Sequence, residues 1–258
     1  MSAAFANAYF PPPDEDPNPR LGGLSLLEHL EELRKRLVRA CIAVAVGALV
    51  CFFFIDRIVA FVFAPMRRAL PPGARLIYTA PGEAFGLYVN IALIAGAVVA
   101  APIVMFQVWR FIAPALYSNE KKFAIPFVVM SSTGVIAGSA FSHYVLFPSM
   151  IAFFGIYNSP NLQFMPRVAD AFDLYTKMLF GMVIVFQMPT LVYFLAKMRL
   201  VTARLLAVNI KYAILVIFIV AAVLTPSGDP WNQFVFAVPM MALYLLSIII
   251  AWAFAPRH

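Results

Sequence analysis

Six apolar stretches dominate the chain after residue 36 and restrict what it can fold into. They run about Leu37–Ile55, Ala84–Gln107, Phe123–Phe147, Phe172–Leu195, Ile210–Leu224 and Phe234–Phe254. A bilayer core of ~30 Å is crossed by ~20 helical residues, and lipid admits only structures whose backbone polar groups are satisfied internally. Of the 258 residues, 63% are hydrophobic and 12% charged, with a mean hydropathy of +0.88. Soluble domains lie nearer ~45–50% apolar and ~25% charged. A water-soluble fold of this size cannot bury so much apolar surface. The expectation is an all-α integral membrane protein with six transmembrane helices. The last two are expected to be short: Ile210–Leu224 falls below a full span, and its connection Thr225–Gln233 is brief. Such a hairpin thins the bilayer locally.

Pro102, Pro126, Pro148, Pro189 and Pro239 fall within or at the ends of these stretches. Each removes a helical hydrogen bond and favours a kink, so the spans are expected to pack as a curved, concave wall. Membrane helices also tolerate proline without a large bend. Both readings stand at this point.

Around the spans, residues 1–23 are proline-rich and lack apolar periodicity, the pattern of a disordered tail. Residues 24–36 form an amphipathic helix, with Leu26, Leu30, Leu33 and Leu37 on one stripe and Ser25 and Glu28 at capping-box spacing. This segment is expected to lie at the membrane surface and lead into the six-span domain 37–254, with 255–258 as a short C-terminus. The first long apolar run starts too far in, and is too long, for a cleavable signal peptide. No internal repeat is evident.

The net charge is +7 and the pI about 9.6. The basic residues lie mostly between apolar runs and form no single stripe, so anionic headgroups explain them better than nucleic acid. With the N-terminus in the cytoplasm, only Arg57, Arg67, Arg68, Arg75, Arg167 and Lys177 fall outside. The positive-inside rule then puts both termini in the cytoplasm, against the objection of four arginines in the first external loop. Cys41 and Cys51 share one run and, if helical, stand ~15 Å apart, too far for a disulfide.

Several segments resemble one family, TatC, the multi-span core subunit of the twin-arginine protein translocase. His29-Leu30-Glu31-Glu32-Leu33-Arg34-Lys35-Arg36-Leu37 is similar to the family's H-L-x-E-L-R-x-R-L. Ala64-Pro65 before a polar loop and Thr79-Ala80-Pro81-Gly82-Glu83-Ala84-Phe85 follow in order. The most specific match is Pro102 to Glu120, P-x-x-x-x-Q-x-W-x-F-I-x-P-A-L-Y-x-x-E. Leu224-Thr225-Pro226-Ser227-Gly228-Asp229-Pro230 resembles the family's L-T-P-P-D-P. Two departures stand out: Gln187 precedes Pro189 where members often carry glutamate, and Ser227-Gly228 replaces a proline before Asp229.

The resemblance implies a non-enzymatic receptor for twin-arginine signal peptides that scaffolds export of folded proteins across the cytoplasmic membrane. It also implies single-span TatA/TatB-type partners, a homo-oligomer within a hetero-oligomeric complex, and drive from the proton gradient. Arginine pairs with carboxylates bidentately, a geometry that lysine lacks. Glu32 and Glu120 match the family's positions for that task, and Arg34 and Phe111 are assigned to the same surface. Periodicity alone favours ordinary pairs of Glu32 with Arg36 and Glu31 with Lys35. Glu120 beside Lys121 and Lys122 reads equally as a solvated loop acid.

Gln187 is a membrane-embedded polar residue, lining a pocket or bonding a neighbouring span. Pro65, Glu83 and Asp229 are assigned to structure or partner contact. Trp109 reads as an interfacial belt residue, and Asp173 with Lys177 as a local ion pair. No cofactor or metal is expected: His143 has no acidic or cysteine neighbours in sequence. A secondary transporter of small solutes is the alternative, but it calls for ionisable groups near the midplane, and only Gln187, Asn90 and His143 are candidates. An intramembrane hydrolase fits less well, since no H-E-x-x-H, G-x-S-x-G or embedded aspartate pair is present.

Overall fold

The computed structural model describes residues 26–69, 76–116, 121–157, 159, 164–225 and 229–254. The expected tail, Glu120 and the C-terminal residues 255–258 lie outside the described residues. The helices are α1 (Leu26–Phe52), α2 (Ile55–Val62), α3 (Ala64–Ala69), α4 (Glu83–Val99), α5 (Ala101–Leu116) and α6 (Lys121–Phe141). After a π-helical turn, Ser142–Leu146, come α7 (Phe147–Gly155), α8 (Val168–Val185), α9 (Met188–Lys197), α10 (Ala203–Val208), α11 (Ile210–Leu224) and α12 (Pro230–Phe254). An isolated bridge pairs Ile77 with Arg167.

Among the described residues, three continuous helical stretches are long and apolar enough to cross a bilayer: Ala124–Gly155, Val168–Lys197 and Pro230–Phe254. Two bent pairs reach that threshold together. Leu30–Phe52 with Ile55–Val62 turns by 92°, and Glu83–Val99 with Ala101–Ile112 by 60°. The sixth apolar helix, Ile210–Leu224, has 15 residues, a length of ~22 Å. It is short as expected, but α12 is not. It has 25 residues because the helix starts at Pro230 and takes in Trp231, Asn232 and Gln233 ahead of the apolar run.

The expected boundary at Arg36 is not marked by any break, for α1 continues from Leu26 to Phe52. Pro102 stands just past the 60° bend between α4 and α5. Pro148 and Pro189 stand in the first turns of α7 and α9, inside the continuous stretches Ala124–Gly155 and Val168–Lys197, and Pro126 and Pro239 lie inside α6 and α12. Proline therefore accompanies one large bend. The other, at Phe53-Phe54, has neither proline nor glycine.

Helix α8 forms the centre. Its Tyr175, Met178, Leu179 and Met182 are buried against residues of α4, α7, α11 and α12. Large apolar side chains such as Leu49, Ile184, Val223 and Ile249 point outward, as lipid requires. Lipid provides no hydrophobic drive between helices, so close backbone packing must hold them. A very close approach joins α1 to α4. A Cβ on Gly47 would lie 2.7 Å from the Gly96 carbonyl oxygen, and one on Gly96 would overlap the backbone of Gly47 and Ala48. Gly138 makes a similar contact between α6 and α8, with Met182 O 2.9 Å from the added Cβ.

Gly96→Ala is expected to cost about 1–3 kcal/mol, the range for overpacking, and Gly96→Leu more. Thermal unfolding of the purified variants in detergent measures this. An unchanged midpoint for the leucine variant would show that the crossing tolerates separation.

Candidate functional site

Because α1 and α4 run antiparallel past Gly47 and Gly96, and α5 also packs on α1, the start of α1 and the end of α5 share one side. Glu32 and Phe111 each lie 15 residues from the crossing, ~22 Å along helix. On that side Glu32 accepts bonds from Arg36, from Nε at 3.1 Å and from a shorter contact to Nη2. Its side chain remains 26% exposed. Glu31 pairs with Lys35 at 2.7 Å with both side chains well exposed. The helical i,i+4 pairs thus form as periodicity alone suggests. Arg34 is exposed and Phe111 half-buried.

Trp109 corrects the sequence reading. It is 3% exposed, with ring centroids 5.1 Å from Phe127 and 5.3 Å from Phe194. These three rings lock α5 to α6 and α9, two residues before Phe111. A tryptophan near a span end resembles an interfacial anchor in sequence, and only tertiary packing reveals the cluster.

The opposite side is organised by Glu83. Its Oε2 accepts from the backbone N–H of Thr79 at 3.0 Å and of Ala80 at 3.2 Å. Its Oε1 accepts from Ala169 N–H at 3.1 Å, and Arg167 approaches to 3.5 Å. The Val168 N–H donates to Ile77 O at 2.8 Å alongside. Glu83 therefore fastens the loop before α4 to the start of α8, and its side chain is 7% exposed. The N–H of Thr79 first, then those of Ala169 and Ala80 and the Arg167 charge, hold its carboxyl well below the ordinary range, at about 2.

Asp229 is placed structurally too. Its Oδ2 accepts from Asn232 N–H at 2.8 Å and its Oδ1 from Asn232 Nδ2 at 2.9 Å, capping α12. Gln233 Nε2 then donates to Phe218 O at 2.9 Å, joining α12 to α11. Pro65 is buried at the second residue of α3. Asp173 and Lys177 are both exposed and form no ion pair with each other, a departure from the sequence reading.

Within the wall, Gln187 sits at the break between α8 and α9, and its Nε2 donates to Ser131 O of α6 at 3.2 Å. Of its two expected roles, the bond to a neighbouring span is the one made. Among the described residues no group of His, Cys, Asp or Glu could hold a metal ion. Cys41 and Cys51 are both free thiols.

Known proteins match this arrangement. The family model described as "Sec-independent protein translocase protein (TatC)" matches residues 28–239. The chain is 40% identical to Sec-independent protein translocase protein TatC of Koribacter versatilis over 243 residues, 92% of this chain and 89% of that one. The chain belongs to the TatC family. It is also 40% identical over 226 residues to TatC of Helicobacter pylori strain J99, covering 88% of each. Two solved structures of the "Twin Arginine Translocase Receptor- TatC" superimpose well. One has a TM-score of 0.73 at 32% identity over 87% of this chain and 98% of that one. The other, in DDM, has 0.75 at 31% over 87% and 99%. The membrane fold expected from the apolar runs is therefore that of a TatC protein, and the small-solute transporter is not favoured.

The TatC motif marks Glu83 but not its partners. Arg167 and Ala169 lie more than eighty residues away, and only the fold pairs them. A carboxyl whose folded value is depressed stabilises above its ordinary value, near 4.5, and that contribution is lost as pH falls toward about 2. Wild-type protein is expected to lose thermal stability across that window, and Glu83→Gln to start lower at neutral pH and lose less on acidification. Unfolding midpoints between pH 7 and pH 3 test this, and parallel curves for the two proteins would contradict it.

Proposed function

We propose that this chain is the receptor subunit of a twin-arginine translocase, binding the paired arginines of export signal peptides at Glu32 and Glu120. The observation that carries the reading is Glu32, held on α1 within the matched TatC segment, partly exposed, with its carboxylate bonded to Arg36. A carboxylate offers about four acceptor sites, and Arg36 occupies one oxygen. An incoming guanidinium can therefore be added without breaking α1. Arg34 and Phe111 stand on the same side and complete the proposed surface.

In this reading the side bearing Glu32 faces the cytoplasm, both termini lie there, and six spans cross the cytoplasmic membrane. The chain acts as a scaffold without catalysing a reaction. Single-span TatA/TatB-type subunits are its partners, several copies assemble in one complex, and the proton gradient drives transport of folded cargo. The brevity of α11 thins the bilayer beside it.

A charge-assisted hydrogen bond contributes about 1.5–3 kcal/mol net, roughly tenfold or more in affinity. Purified protein is expected to bind an Arg-Arg signal peptide at least about tenfold more tightly than its Lys-Lys counterpart. Glu32→Ala and Glu120→Ala are each expected to weaken Arg-Arg binding by about that factor. Equal binding of both peptides, untouched by either substitution, would overturn the receptor assignment.

A further inference from the structure

A cavity of about 460 Å³ opens between α1, α2, α4, α6 and α8, in the size range of small-molecule sites. Its walls are almost wholly apolar, and its rim carries the exposed side chains Phe61, Val99 and Tyr144. Polar side chains interrupt the walls at His143, Ser139 and Tyr175. His143, in the π-helical turn, is 3% exposed and bonds through Nδ1 to Tyr175 Oη at 3.3 Å. Phe61 stacks on the imidazole at a centroid distance of 4.1 Å. With Nδ1 accepting from the Tyr175 hydroxyl, Nε2 carries the proton and is a donor with no partner among the described residues. The Ser139 hydroxyl in the same wall is buried and also lacks a partner. Single-turn π-helices inside α-helices frequently mark functional positions.

Depth indicates what completes these groups. Counted from Lys121 at 1.5 Å per residue, ~30 Å of hydrocarbon ends near His143. That is the level at which a phospholipid's ester carbonyls meet its acyl chains. Arg68 on α3 is exposed and forms no ion pair among the described residues, and α3 packs against α7, which continues directly from the turn that holds His143. Three chemistries are thus arranged in the order in which one lipid presents them: a cation for phosphate, polar edges for a carbonyl, and an apolar pocket for a chain. We propose that this cavity binds one phospholipid of the leaflet opposite Lys121 and Lys122, with an acyl chain in the pocket, the ester carbonyl at His143 and Ser139, and the phosphate at Arg68. The inference rests on α6 crossing the bilayer and is independent of signal-peptide binding.

The test uses the full chain in nanodiscs doped with a phospholipid carrying a mid-chain diazirine, with adducts mapped by proteolysis and mass spectrometry. Adducts are expected several-fold more often in the peptides holding Ile91–Val99 and Ser139–Tyr144 than around the lipid-facing Val223. Ala140→Trp, which fills the cavity, should remove the excess, and Arg68→Gln should reduce it. Without any variant, unlabelled ester-linked phospholipid should compete several-fold better than its ether-linked analogue, and a free fatty acid should compete worse than either. Even labelling of the surface, or equal competition by ester and ether lipids, would overturn the assignment. A fatty acid that competes as well as phospholipid would overturn the phosphate contact.

Discussion

Backbone contact between α1 and α4 at Gly47 and Gly96 sets the geometry on which the rest of the structure depends. In lipid, helices gain little from hiding apolar side chains from one another, so the distance at which two backbones can pass decides how firmly they hold. Following α1 back from the crossing leads to Glu32 on one side of the wall. Following α4 back leads to Glu83 on the other. The walls of the lipid-sized cavity, including Cys51, Ile91 and Ala95, flank the same contact. One pair of glycines therefore positions a charged surface at each end and a pocket between them.

The two ends use carboxylates in opposite ways. Glu83 is nearly covered, and three backbone N–H donors and a guanidinium saturate it. Such a group resists titration and holds loops together, and it has little capacity left for a partner. Asp229 is likewise engaged with Asn232. Among the described residues, Glu32 is bonded to one helical neighbour on a single oxygen and stays within reach of solvent. Satisfaction of hydrogen-bonding capacity thus separates structural acids from a candidate binding acid where sequence motifs treat them alike.

Much of this was legible in the sequence. The run Ile210–Leu224 coincides with α11, and the other apolar runs fall on the helices and helix pairs that contain them. What escaped was nonlocal. The 92° turn after Phe52 has no breaker residue, and the start of α12 lies in polar sequence capped by Asp229. Trp109 looks interfacial until Phe127 and Phe194, distant in sequence, close around it. Tyr175 gave only the general signal of a phenol in an apolar run, where a hydroxyl needs a partner; His143 supplies it across two helices. Glu32 and Phe111 were legible as motif residues, and the fold places them on one side, while Glu120 lies outside the described residues.

The central claim is that the side carrying Glu32 and the end of α5 receives the signal peptide. Its most direct test is a twin-arginine peptide with a photoreactive residue beside the arginine pair, cross-linked to the protein in native membranes and mapped by mass spectrometry. Adducts confined to the segments 28–36 and 111–122 are the predicted result. Adducts concentrated instead on the loops around Pro65, Glu83 or Asp229, on the opposite side of the wall, would contradict it.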